Sequence, residues 1–183
     1  MRERKPPTVT RSTCERYDIR LDGLGWAIIT IDERSGLFSA VSDFGNYGYT
    51  WPCHGRQTFK HFLVEIDTDY LKNKLGHRDY FLHDATEKAW RKEVLESRRR
   101  GEIDKATAWG AWDAINHMEF ASAEQAYHDL CDSEDLGKVF TDPCCITLEK
   151  DFSPDLRMFV ERIWPAFTAA LRKELPRLQE VAS

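Results

Sequence analysis

The feature that most constrains this chain lies near its C-terminus, where apolar residues recur every three or four positions from Leu156 to Leu175. Leu156, Phe159, Val160, Ile163, Trp164, Phe167, Leu171 and Leu175 trace one continuous helical stripe, and such a stripe demands a partner surface. Full burial of each large side chain contributes roughly 1.5–3 kcal/mol before entropy is subtracted, so this helix must lie on a core. Ser153 is suited to cap it, and Pro154 to occupy a first turn where a missing N–H costs nothing. Pro165 falls inside the pattern, removes one backbone bond and crowds the Glu161 carbonyl, which predicts a kink. Pro176 is expected to end the helix.

The N-terminal half supplies the surface. Tyr17, Ile19 and Leu21 alternate with Asp18, Arg20 and Asp22 as in a half-buried strand. Gly23-Leu24-Gly25 breaks the pattern. Trp26 to Asp32 then carries apolar residues on both faces, which predicts a central strand. Gly36 suits a turn with positive φ, Leu37 to Phe44 returns, and Tyr47, Tyr49 and Trp51 alternate along a further strand. An aromatic strand of that kind can seal a core or present a recognition surface. Helical spacing follows: Phe59, Phe62, Leu63 and Ile66 on one face, a short helix opened by Asp67-Thr68-Asp69 and stopped by Gly76, then helices from Asp84 to Arg100, Ile103 to Met118 and Ser122 to Cys131. Trp90, Trp109 and Trp112 read mostly as core. Cys144 to Glu149 is a short strand candidate. The expected fold is α+β: an N-terminal antiparallel meander packed by the kinked C-terminal helix, with a helical insertion over residues 84–133. Residues 1–13 read as a flexible arm and 14–183 as a single domain.

Charge bounds the partners. A formal net charge of −5 disfavours a wholly electrostatic nucleic-acid binder and suits a partner with a basic face. No stretch approaches the ~20 apolar residues that span a bilayer, and Met1 to Pro7 lacks the apolar core of a signal peptide. The expected location is the cytosol, with reduced thiols.

Candidate chemistry is sparse. Cys53-His54, Cys131 and Cys144-Cys145 lack the spacings of zinc sites, and nothing local lowers a thiol pKa for nucleophilic use. Asp67 and Asp69 could hold a divalent ion, although helix capping explains them better. Glu149-Lys150-Asp151 faintly matches the acid-and-lysine endings of metal-dependent nucleases, without the rest of such a site. Gly23-Leu24-Gly25 and Gly45-Asn46-Tyr47-Gly48 have no nucleotide-binding spacing. Neither a metal nor a cofactor is expected. Arg98-Arg99-Arg100 closes a helix where positive charge favours the dipole, with phosphate contact as the alternative.

Two groups of residues point to a family. Ser42 to Trp51, with Phe59-Lys60-His61-Phe62-Leu63 and Asp69-Tyr70-Leu71, resembles the opening of small proteins encoded by tailed phages and prophages. Phe152-Ser153-Pro154, with Phe159-Val160 and Ile163-Trp164-Pro165, is similar to their closing helix. The resemblance covers about the first 75 residues and the last 30. It carries over no catalytic residue, and it implies a host-takeover context in which small acidic proteins inhibit CRISPR–Cas or other defences. The resulting expectation is a non-enzymatic phage factor that binds a host protein or nucleoprotein complex with a basic surface. Its binding residues are expected among Tyr47, Tyr49, Trp51 and His54 on the aromatic strand and its loop, and Glu119, Glu124, Asp129, Asp132, Glu134 and Asp135 on acidic helical faces. The alternatives are a metal-dependent enzyme with Asp43, His54, Asp67 and Asp69 in one cleft, or a nucleic-acid binder using Arg98 to Arg100.

Overall fold

Alternation at the N-terminus becomes a four-stranded antiparallel meander in sequential order, β1 (Glu15–Leu21), β2 (Gly25–Asp32), β3 (Leu37–Ser42) and β4 (Gly45–Thr50). The computed structural model describes residues 8–23, 25–53, 55–142 and 146–181, with side chains to residue 175. These fall into two compact units, one within Met1–His77 and Phe152–Ser183, the other within Arg78–Asp151.

In the first unit the strand register aligns Tyr17, Ile29, Ala40 and Tyr47 in one cross-strand row, and Ile31, Phe38 and Tyr49 in the next. Those rows form the inner face. The opposite face leaves Trp26 and Val41 exposed, so β2 is central, as its sequence suggests, but covered on one side only. Gly36, at φ +66°, turns the chain between β2 and β3, and a Cβ there would sit 2.1 Å from the Trp51 carbonyl oxygen. The close approach is real pairing: Trp51 N–H donates to the Gly36 carbonyl at 2.8 Å.

The inner face is closed by α1 (Phe59–Glu65), α2 (Thr68–Leu75) and the C-terminal helix. Asp67 caps α2 by accepting from the amides of Asp69 and Tyr70. Gly76 ends it in extended backbone, where any Cβ would press to 2.7 Å of the Leu156 side chain. Ser153 caps α7 (Pro154–Met158) with Pro154 in its first turn, as the sequence predicts. A π-helical turn, Phe159–Ile163, leads into α8 (Trp164–Val181), and Trp164 N–H donates back to the Phe159 carbonyl. The kinked helix therefore widens one turn just before Pro165, the position at which a proline ring crowds the preceding turn. Pro176 does not stop the helix, which continues to Val181; one missing N–H is tolerated where the rest of the ladder holds.

Phe38 is the centre of this core. Its ring lies 5.5 Å from Trp164, 6.1 Å from Phe167, and 6.5 Å from both Trp51 and Phe159. At the rim, Lys60 of α1, only 8 % exposed, donates to Glu15 of β1 at 2.6 Å and Glu174 of α8 at 2.7 Å. The Tyr17 hydroxyl joins the same two carboxylates at 2.9 and 3.0 Å. Burial opposes the Lys60 ammonium, yet its bonds to Glu15, Glu174 and Tyr17 hold it above its ordinary pKa.

The second unit is helical. β5 (Tyr80–Phe81) pairs with β6 (Lys150–Asp151) in a separate two-stranded sheet, so the late strand joins a neighbour in its own unit and lies beyond the 144–149 window. Cys144 and Cys145 lie outside the described residues. α3 (His83–Arg100) starts one residue before Asp84 and without a side-chain cap, because the apolar Leu82 holds the cap position; Asp84 lies inside the first turn and Glu87 pairs with Arg91. Gly101, at φ +76°, ends it. Asp104 caps α4 (Lys105–His117) and Ser122 caps α5 (Ala123–Asp132). Ser133 both follows α5 and caps α6 (Glu134–Val139), a helix the sequence reading does not contain. Trp90, Val94, Ala111, Ile115, Phe120, Ala126, Leu130 and Leu136 form the core, with Trp90 Nε1 donating to the Thr147 carbonyl.

Candidate functional site

The aromatic strand is structural over most of its length. Tyr47 is half-buried against Phe159, ring centres 4.8 Å apart, and its hydroxyl donates to the Phe44 carbonyl. Burial pushes its phenol up to about 12, with the Asp155 carboxylate adding to the effect. Tyr49 packs on Trp51 at 4.6 Å and lies beneath the Lys74 ammonium. Trp51 is buried, its indole N–H donating to the Tyr70 hydroxyl at 3.3 Å. His54 lies outside the described residues.

The carboxylates of the enzymatic alternative have local tasks. Asp43 accepts from the Trp26 amide at the β3–β4 turn, Asp67 caps α2, and Asp69 pairs with Lys72 at 2.6 Å. Among the described residues no group of three His, Cys, Asp or Glu is placed to hold a metal ion.

The acidic helical faces belong to the second unit. Glu119 and Glu124 are exposed; Asp129 accepts from Gln125 at 2.5 Å, and Asp132 sits 3.2 Å from His128. Glu134 and Asp135 share Lys138, at 2.8 and 3.5 Å, and that bond holds the Glu134 carboxyl below its usual range. Within Glu119 to Lys138 these six carboxylates meet one lysine, a balance equal to the whole chain's −5. Tyr127, 41 % exposed, lies among them on α5.

A surface that sequence reasoning misses lies across α3 and α4. Trp109 is 74 % exposed and Leu95 45 % exposed. With Val94, Ala108, Trp112 and the stems of Arg98 and Lys105 they line a groove of about 270 Å³. Arg91 stacks on the Trp112 ring, 4.7 Å from its centre. The signal was available: Ala111 and Ile115 mark the buried face of α4, and a residue two positions from Ala111 cannot share that face. Arg100 is bound by Glu93 and Glu102 at 2.7 and 2.9 Å, which serves the end of α3, whereas Arg98 and Arg99 are exposed.

A family model described as a Phage family matches residues 7–173. No curated protein and no solved structure matches the chain.

Proposed function

This chain belongs to that Phage family, and we propose that it acts as a non-enzymatic protein-binding factor, a stoichiometric inhibitor of a host defence complex such as CRISPR–Cas. One observation carries the reading: the acidic excess of the chain is gathered on α5, α6 and the segment before them, around an exposed tyrosine. Clustered like charge raises the local potential and steers association with an oppositely charged face, and tyrosine is a frequent interface anchor. A basic nucleic-acid groove of a host complex is the complementary surface. Glu124 and Asp132 are the contacts expected to matter most. The loop that follows the aromatic strand is a secondary contact, because the rings of the strand itself, Tyr49 included, pack inward.

The test is purification of the tagged full chain from infected host cells, with the complex sized and its components identified. A one-to-one assembly that dissociates with added salt, and is lost in the Glu124→Lys/Asp132→Lys/Glu134→Lys variant, is the expected result. Recovery of no stable protein partner overturns the proposal. A second reading, direct nucleic-acid binding, draws on Arg98 and Arg99 beside the exposed Trp109. It requires affinity for an oligonucleotide that falls steeply with salt.

A further inference from the structure

We propose that the groove between α3 and α4 is a second docking site, of opposite charge, that takes an acidic segment of a partner protein carrying one large apolar side chain. The chemistry of the walls selects the anchor. Val94, Leu95, Ala108, Trp109 and Trp112 offer aliphatic and aromatic surface, and a groove of about 270 Å³, at the small end of ligand pockets (~300–1,000 Å³), has room for one large side chain. An exposed tryptophan in an apolar depression is the residue type that dominates binding hot spots.

Charge at the rim selects the flanks. Arg91, Lys92, Arg100 and Lys138 of this unit form ion pairs, whereas Lys88, Arg99 and Lys150 form none with any described residue. Arg98 and Lys105 form none either, and they are the two such cations that line the groove. The nearby Asp104 carboxylate accepts from the Thr107 amide at 2.7 Å and feels Arg98 without pairing with it. Arg98 at the end of α3 at least favours that helix's dipole. Lys105 opens α4, where a positive charge opposes the dipole. Helix stability therefore gives no reason for a lysine there, while an incoming carboxylate does. A nucleic-acid strand fits less well: base stacking needs flat faces in series along a basic track, whereas here two indoles are interspersed with aliphatic Val94, Leu95 and Ala108, and Arg100, last of the basic run beside them, is already bound by Glu93 and Glu102.

The experiment measures anisotropy of labelled synthetic peptides with the full chain. The probes are an acidic peptide bearing a single Phe anchor, the same peptide with that Phe replaced by Ala, a lysine-flanked analogue, and a single-stranded oligonucleotide. The acidic anchored peptide is expected to bind, and either removing its anchor or making Trp109→Ala should weaken it ~tenfold or more. Arg98→Glu/Lys105→Glu should reverse the preference toward the lysine-flanked peptide. Glu124→Lys/Asp132→Lys/Glu134→Lys should leave peptide affinity intact, which separates this site from the acidic face proposed above. Circular dichroism checks the fold of each variant. The proposal is overturned if the acidic peptide does not bind, if its binding ignores Trp109→Ala, or if the oligonucleotide binds more tightly through Trp109. Self-association that Trp109→Ala abolishes overturns it too, by making a second copy the occupant.

Discussion

The two compact units use their aromatic residues in opposite ways. In the meander unit, Phe38, Trp51, Phe159, Trp164 and Phe167 close on one another as a ring-on-ring core. In the helical unit Trp90 alone among the tryptophans is fully buried, and Trp109 stands in water. The first arrangement maximises the apolar area removed from solvent. The second retains desolvation energy that can be released on association. The difference teaches where to look: the sheet unit uses its rings for its own core, whereas both docking surfaces proposed above lie on the outside of the helices.

Substitutions can break or sharpen that contrast. The largest effect is expected at Phe38→Ala, which should cost about 3–5 kcal/mol in denaturant unfolding, as deletion of a fully enclosed ring does. A cost below about 1 kcal/mol would mean that this core is looser than its geometry. Gly36→Ala comes next, at about 2–3 kcal/mol, because positive φ and the Trp51 carbonyl both oppose a Cβ. Hydrogen exchange at the Trp51 amide, which donates to Gly36, should accelerate with it.

The Lys60 cluster gives a smaller effect with a defined pH sense. Burial raises the Tyr17 phenol and the carboxylate bonds raise Lys60, so both hold protons more tightly folded than unfolded. Their contribution is complete below about pH 10 and disappears as pH rises through the folded values. Lys60→Met should cost about 1–2 kcal/mol at neutral pH, since Glu15 and Glu174 keep contact with water. It should also flatten the alkaline loss of stability; an unchanged alkaline midpoint would remove Lys60 from that role. Smallest of all, Trp109→Ala should change stability by less than about 0.5 kcal/mol, the counterpart of its large expected effect on binding.

Much of the fold was legible in the residues. Two-residue alternation in β1 and β4, the apolar faces of β2, Asp67, Ser122 and Ser153 as caps, and the stripe of the last helix all act locally, so local pattern reports them. What escaped was set by tertiary context. Ser133 serves two helices at once, hiding α6. β5 and β6 are too short to show a period. Trp109 reads as core by composition, and only its angular position relative to Ala111 reveals that it faces outward. The acidic residues were visible, whereas their partners His128 and Lys138 appear only once the helices are phased.

The widened turn at Phe159–Ile163 has a consequence for how this family can vary. A π turn holds one residue more than the α turn it replaces, so losing one residue there would restore a regular helix and leave Phe167 and Leu171 on the sheet. A regular helix advances 100° per residue, so the same loss in the plain turns that follow would swing every later side chain off its partner: that single wide turn is the one place in this helix expected to absorb a one-residue deletion.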